Sequence, residues 1–116
     1  MQKFCLTLDL KDDIHLIEAY DKYHQEVWPE VIESIRTSGI LNMEIYRIEN
    51  RLFMIVDADD DFSFRKKELL DRENKMVLKW EELMWIFQQP LPFAKKGEKW
   101  LLLNKIFDLS DPKYIQ

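Results

Sequence analysis

His24, one of 2 histidines in the chain, lies on an apolar stripe between two aromatic residues. Tyr20 precedes it and Trp28 follows it, each at a spacing that places the three side chains on one face of a helix. Such a face normally points into a core, so an imidazole there is either a buried polar residue with a partner or an acid/base in a pocket. Pro29 then breaks the helix, because it disfavours helical geometry at Trp28 and suits the start of a new helical segment. We expect His24 to lie one turn from this bend, where side chains can line a cleft.

The rest of the sequence narrows the kind of chemistry available. Its 2 glycines could not form a glycine-rich phosphate loop, and it has no cysteine and histidine cluster with metal-ligand spacing. Neither a serine nor Cys5 stands in a recognisable nucleophile context. We therefore expect no cofactor and no metal, and a reaction that rests on proton transfer. The other histidine, His15, lacks an aromatic setting and is interpreted as a surface or capping residue.

Length and composition predict one compact domain, residues 1–116. With 47% hydrophobic residues the chain can bury a core without disulfides or metals. The single Cys5 cannot form an internal disulfide and is expected to be a small buried residue, which fits a reducing cytoplasm. We expect no signal peptide and no membrane span, since no apolar stretch is long enough. The net charge of -5 argues against nucleic acid as a partner.

The first half of the chain predicts a strand, a helical region and a hairpin. Apolar residues alternate over residues 4–10, as in a strand with one buried face. Asp12 or Asp13 could cap the helical region that follows, which runs to about Ser38 and stops at Gly39. Residues 42–48 and 52–58 are rich in strand-forming residues and are joined by a short polar turn, so they predict a hairpin.

The second half predicts further helix and a closing strand. The acidic residues 59–61 could begin the helix, since carboxylates favour its N-terminal dipole. Helical patterning continues from Leu69 to Phe87, in one piece or two, and prolines then end it. Residues 100–109 form the predicted final strand.

The predicted order, β-α-β-β-α-β, is the ferredoxin-like α+β sandwich. It has one antiparallel sheet with both helical regions on one face. The other face must therefore be covered or remain exposed to solvent. Residues 52–56 and 101–103 are apolar on both sides of their strands. We therefore expect a homodimer packed sheet on sheet, as in dimeric α/β-barrels.

These features together resemble the L-rhamnose mutarotase family of small dimeric sugar epimerases. The specific part is the spacing Y-x3-H-x3-WPE at residues 20–30, which joins an acid/base position to a helix break. Further matches span nearly the whole chain in the family's order: Gly39, Asn42, Ile45, Tyr46, Leu52, Phe53, Trp80, Met84 and residues 105–107.

The resemblance implies an activity and a set of site residues. The family interconverts the α and β anomers of a 6-deoxy-hexose, with L-rhamnose as the expected sugar, and His24 occupies the position of its proton donor. Tyr20 would bind sugar hydroxyls and Trp80 would line the pocket. In two departures from the family pattern, Met43 replaces a sugar-contacting tyrosine and Glu81 replaces a tryptophan. Both would fall in or near the pocket, so L-fucose is an alternative substrate.

Mutarotation suits a single histidine. Opening the sugar ring needs one proton delivered to the ring oxygen and one taken from the anomeric hydroxyl, and closing reverses both transfers. Histidine, whose ordinary pKa is near neutrality, can act as acid in one direction and base in the other. For the second transfer Glu30, Tyr46 and a bound water are candidates, and Tyr46 is also among the expected sugar-binding residues.

Two other functions are compatible with this architecture. One is a cofactor-free monooxygenase acting on an aromatic substrate. The other is a non-catalytic module that binds a small molecule, in which His24 would be a ligand contact without a role in proton transfer.

Overall fold

The computed structural model describes residues 1–115, which form one antiparallel sheet with helices packed on one face. The element order is β1 (Gln2–Leu10), α1 (Ile14–Tyr23), α2 (Pro29–Thr37), β2 (Ile40–Ile48), β3 (Arg51–Ala58), α3 (Phe64–Arg72), α4 (Lys75–Trp85), β4 (Gln88–Gln89) and β5 (Leu101–Leu102). The strand order is β2-β3-β1-β4, and β5 also pairs with β1. The predicted ferredoxin-like α+β fold is confirmed, and the short strand β4 is an element that the sequence did not predict.

The predicted hairpin is formed by β2 and β3, which pair along their whole lengths. The turn between them is two residues long, and Glu49 adopts a positive φ of 50° there. β1 pairs with β3 over eight positions, in a register that places Leu8 opposite Leu52. Because directly opposed side chains point to the same face, this register fixes which residues meet the helices.

The first helical region ends at Thr37, close to the predicted Ser38, but its first helix ends before the predicted break at Pro29. Asp13 caps α1 by accepting from the backbone amides of His15 and Leu16, and Pro29 begins α2 as expected. Between the two helices, residues 24–28 form no regular helix. Proline keeps the residue before it extended, and Trp28 has a ψ of 136°. His24 is therefore the C-cap of α1 and not a residue inside a longer helix.

The second helical region forms two helices, one of the two forms that the sequence allowed. The expectation that residues 59–61 begin it is wrong: they precede α3, which starts after the N-cap Ser63. Ser63 accepts a backbone hydrogen bond from Lys66, so a neutral hydroxyl performs the capping that was assigned to carboxylates. Asn74 caps α4 in the same way.

The closing strand is shorter than predicted, since the paired part is limited to Leu101–Leu102. The backbone amide of Leu103 still donates to Cys5 at 2.8 Å, after which the chain diverges from β1. Residues 104–109 therefore have no strand partner within residues 1–115. Several of their apolar side chains lie in solvent, with Ile106 96% exposed.

Two apolar clusters fill the space between helices and sheet. The first lies beneath α1, α2 and α4 and contains Leu10, Ile17, Tyr20, Val31, Leu52, Trp80, Met84 and Phe87. The second lies toward the other end and contains Leu6, Ile40, Met54, Val56, Ala58 and Phe62. Ile14 is 61% exposed, so the buried stripe of α1 begins at Ile17.

The second face of the sheet is uncovered in a single chain. We call it the open sheet face; it carries Cys5, Thr7, Glu44, Tyr46, Phe53 and Ile55, which the strand registers place on one side. Cys5 is half-buried there, so the expectation that it lies in the core is wrong, because its strand position points away from the helices. Within residues 1–115 no helix has the length and apolarity needed to cross a membrane.

Candidate active site

An open cleft of about 1430 Å³ lies along the helix-facing side of the sheet. All four helices contribute to its lining, together with β2 and the segment that precedes β5. Its volume exceeds the ~300–1,000 Å³ usual for small-molecule sites. A monosaccharide would therefore fill only part of it.

The cleft brings together five of the six site residues expected from the sequence. They are Tyr20, His24, Met43, Trp80 and Glu81. Tyr46 does not line the cleft. It lies on the open sheet face, where its hydroxyl donates to Glu44 Oε2 at 3.1 Å. Met43 and Tyr46 are three residues apart on one strand, and side chains alternate between faces, so a regular strand cannot turn both toward the same cleft.

The His24 ring is held by a hydrogen bond to the backbone. Its Nδ1 lies 2.9 Å from the carbonyl oxygen of Tyr20. A carbonyl oxygen can only accept, so Nδ1 must carry the hydrogen of this bond. In the neutral ring the lone pair is then on Nε2, and this is the atom that can take a proton from a ligand or return one.

This hydrogen bond lies at the C-terminal end of α1. The Tyr20 carbonyl oxygen accepts the His24 backbone amide at a long 3.3 Å, and that amide also approaches the Asp21 carbonyl oxygen at 3.2 Å. A carbonyl oxygen has two lone pairs, so the Tyr20 oxygen can accept from the imidazole as well.

Aromatic rings surround the imidazole. The Tyr20 ring centroid lies 4.3 Å from that of His24, and Trp80 meets the imidazole edge-on at 5.7 Å. Trp28 packs against Trp80 at 5.2 Å and does not line the cleft, which is consistent with a structural role at the bend. Trp80 is both part of the core and a wall of the cleft.

Tyr20 presents a protonated hydroxyl. Burial raises the pKa of Tyr20 to about 12, because the phenolate would lie away from water. The group is neutral throughout the physiological range and can act as a hydrogen-bond donor. Gln88 Nε2 donates to its oxygen at 3.4 Å.

Gln88 is a cleft residue that the sequence did not identify. It is buried, begins β4 and reaches the same part of the cleft as Tyr20. A polar residue directly after the apolar helical pattern was the available signal. Its neighbour Gln89 has the same side chain but is exposed, so residue type alone could not separate the two.

An ion pair holds the end of α1 against the sheet. Arg47 on β2 donates from Nε and Nη2 to the two carboxylate oxygens of Asp21, at 2.9 and 2.7 Å. A bidentate pair of this kind fixes direction as well as distance. Because Asp21 directly follows Tyr20, the pair restrains the turn that carries both Tyr20 and His24.

Comparisons with known proteins point to one family. The family model for L-rhamnose mutarotase matches residues 3–109. The chain is 41% identical to an L-fucose mutarotase of Xanthomonas campestris pv. campestris over 118 positions, which cover 100% of the chain and 94% of that relative. An L-rhamnose mutarotase of Oceanobacillus iheyensis is 28% identical over 76 positions, covering 64% of the chain and 65% of the relative.

A solved structure shows the same fold. The crystal structure of an L-rhamnose mutarotase from Formosa agariphila aligns with a TM-score of 0.69 at 20% identity, covering 93% of this chain and 98% of that one. The chain belongs to the L-rhamnose mutarotase family. The resemblance read from residues 20–30 is confirmed, as is the expectation of an isomerase.

Proposed function

We propose that this protein interconverts the α and β anomers of a 6-deoxy-hexose, with His24 as the acid/base that opens and closes the ring. The observation that carries the proposal is the Nδ1 hydrogen bond to Tyr20, which leaves Nε2 as the proton-transfer atom in a cleft lined by aromatic side chains. Family membership supports the reaction type.

The residues support a short mechanism. Tyr20 donates its hydroxyl hydrogen to a sugar oxygen, and the apolar faces around His24 pack against the C–H surface and methyl group. Nε2 takes the proton of the anomeric hydroxyl, and the ring C–O bond breaks as the ring oxygen gains a proton. The aldehyde carbon rotates, and the reverse transfers close the ring on the other face. A positioned acid/base gives roughly 10²–10⁴-fold acceleration, which is enough for a reaction that also proceeds unaided.

We assign the second proton transfer to a bound water. Glu30 and Tyr46, the protein groups considered from the sequence, do not line the cleft with His24. Glu30 is exposed at the start of α2, and Tyr46 lies on the other face of the sheet. A water held between His24 Nε2 and the ring oxygen can give one proton to that oxygen and take the proton that Nε2 received from the anomeric hydroxyl, so no net proton is gained or lost.

For the sugar, we place L-fucose before L-rhamnose. The sequence alone had favoured L-rhamnose, and the family model supports it. The relative that covers the whole chain acts on L-fucose, whereas the L-rhamnose mutarotase of Oceanobacillus iheyensis matches about two thirds of it. The two sugars differ in configuration at C2 and C4, so hydroxyl-binding residues must separate them. Met43 and Glu81, which both line the cleft, are positioned to contribute to that choice.

We also propose that the protein is a cytoplasmic homodimer. The open sheet face exposes Phe53 and Tyr46, and residues 103–109 place further apolar side chains in solvent. Exposed apolar surface of this kind is typical of a protein interface. A second copy packed sheet on sheet would cover it, and the single half-buried Cys5 suits a reducing compartment.

The proposed activity is tested by exchange NMR on reducing sugars. L-fucose, L-rhamnose and D-glucose are each equilibrated, and the rate of interconversion between the two anomeric proton signals is measured with and without protein. We expect acceleration for L-fucose, a smaller effect for L-rhamnose and the smallest for D-glucose. Exchange at the uncatalysed rate for all three sugars would refute the proposal and would favour a binding module or a monooxygenase.

A further inference from the structure

Gln88 has a polar atom without a partner in the described chain. The residue is 5% exposed, and its Oε1 is closed off from solvent and accepts no hydrogen bond within residues 1–115. Asp57 Oδ1 is also buried without a hydrogen bond, but it lies 2.9 Å from the Lys3 ammonium. Buried polar groups in native proteins are nearly always paired, so this amide oxygen calls for an explanation.

The other end of the amide fixes the hydrogen bonding of Tyr20. Gln88 Nε2 donates to the Tyr20 oxygen and so occupies one of its lone pairs. The Tyr20 hydroxyl hydrogen must then point elsewhere, away from the amide nitrogen. The two side chains therefore offer one donor, Tyr20 O–H, and one acceptor, Gln88 Oε1, next to each other at the cleft.

A donor beside an acceptor matches the chemistry of a hydroxyl group. A hydroxyl can accept from Tyr20 and donate to Gln88 at the same time. A carboxylate could not supply the missing hydrogen, and an apolar ligand could supply neither group. The arrangement favours a polyhydroxylated ligand such as a sugar.

We propose that Gln88 binds a sugar hydroxyl, with Oε1 as acceptor, and that together with Tyr20 it determines which hydroxyl configuration the site selects. The inference rests on the proposed mutarotase function and adds a specificity-determining residue to it. Oε1 is shielded from solvent. A partial turn of the amide, within the broad torsional minimum of glutamine, exposes Oε1 to the sugar hydroxyl while Nε2 stays beside the Tyr20 oxygen.

Substitution of Gln88 tests this directly. Gln88→Met keeps length and bulk but removes both amide groups. We expect KM for the preferred 6-deoxy sugar to rise roughly tenfold, while kcat changes much less, because the lost contact is made in the bound ground state and the transition state alike. The matched control is Gln89→Met, which makes the same change on the exposed neighbour and should leave both constants at their parent values.

Sugar analogues identify the contacted hydroxyl. Among monodeoxy derivatives of the preferred sugar, one should bind the parent protein roughly tenfold more weakly than the intact sugar. Gln88→Met should bind that derivative and the intact sugar with nearly equal affinity. If Gln88→Met does not fold, Gln88→Glu is the alternative variant, because it keeps the shape of the side chain. Its carboxylate would accept the Tyr20 hydrogen and withdraw that donor from the sugar, so KM should rise here too.

The outcomes separate this inference from the function on which it rests. A parent protein that exchanges no anomers refutes the proposed function. An active parent with a folded Gln88 variant of unchanged KM overturns the role of Gln88 alone. A fall in kcat at constant KM would also overturn it, since that result would indicate a role in the chemical step. Equal affinity of the parent for every monodeoxy derivative would do the same.

Discussion

The imidazole of His24 donates through Nδ1 to the carbonyl oxygen of Tyr20, one helical turn earlier, at 2.9 Å. Tyr20 thus orients His24 in two ways: through its backbone oxygen, and through its ring, whose centroid lies 4.3 Å from that of the imidazole. The Tyr20 side chain is itself anchored in the core. The position of the proton-transfer atom is therefore set by packing beneath α1 and not by the cleft surface alone.

We predict that Tyr20→Phe loses less stability at alkaline pH than the parent protein does. Burial raises the pKa of Tyr20 from 10.0 to about 12. Between these values the unfolded chain loses the phenol proton first, so the folded state holds more protons and the free energy of unfolding falls as pH rises. This pKa shift contributes about 3 kcal/mol to the free energy of unfolding. The contribution is fully present below pH ~10 and is lost as pH rises through ~12.

Urea unfolding at several pH values between 8 and 12 measures this effect. The parent should lose up to about 3 kcal/mol more than Tyr20→Phe over that range, beyond the loss that other groups cause in both proteins. Curves for the two proteins that run parallel over the whole range would show that the Tyr20 hydroxyl is not desolvated in solution.

The same variant should separate binding from chemistry. Tyr20→Phe keeps the backbone carbonyl that orients His24 and removes the hydroxyl that binds sugar. We expect KM to rise while kcat falls by a smaller factor. Steady-state rates of anomer exchange give both constants. A large loss of kcat at unchanged KM would instead identify the tyrosine hydroxyl as a proton carrier.

We predict that Met43→Tyr changes sugar choice more than rate. Met43 lines the cleft and has no hydroxyl, so it cannot form the sugar contact that the family resemblance implies for a tyrosine at this position. Restoring a phenol should shift the ratio of kcat/KM between L-rhamnose and L-fucose toward L-rhamnose by several-fold, with kcat for the better sugar little changed. Tyr46→Phe is the control on the opposite face of β2. An unchanged ratio for Met43→Tyr would place residue 43 outside the part of the cleft that holds the sugar.

We predict a dimer that depends on the open sheet face. Phe53 lies at the centre of that face and Ile106 in the exposed segment that follows β5. A lysine at either position would bury an unpaired charge in the proposed interface, which is strongly unfavourable. Sedimentation at micromolar concentration should show a dimer for the parent and a shift toward monomer for Phe53→Lys and Ile106→Lys.

The control for this experiment is Ile14→Lys. Ile14 is an exposed apolar residue on α1, on the helical side of the molecule. Its substitution should leave the dimer intact. A parent protein that sediments as a monomer would contradict the proposed assembly.

Much of the fold could be predicted from the chain alone because local patterns agree with the final packing. Alternation in residues 4–10, the hairpin, the stop at Gly39 and the break at Pro29 each depend on nearby residues. The closing strand was wrong beyond Leu102, since its pairing depends on how far β1 can accept a neighbour at its edge. No local pattern in residues 103–109 indicates where the pairing with β1 ends.

From the sequence, only the part of the site that depends on helical spacing could be predicted. Tyr20 and His24 are one turn apart, so their proximity follows from a helix. The end of α1 at Tyr23 did not follow from this spacing, and it makes His24 the C-cap, whose imidazole donates back to the Tyr20 carbonyl. Gln88 enters through the pairing of β4 with β1, a contact between residues far apart in sequence that periodicity cannot show.

Exchange NMR on His24→Asn tests the central claim most directly. Asparagine keeps polarity and approximate size but cannot transfer a proton near neutrality. With the preferred 6-deoxy sugar we expect a folded variant that still binds sugar and exchanges its anomers at least roughly 10²-fold more slowly than the parent. The matched control is His15→Asn, on the exposed side of the same helix, which should keep the parent rate. A folded His24→Asn protein that exchanges anomers at the parent rate would contradict the assignment of His24 as the acid/base.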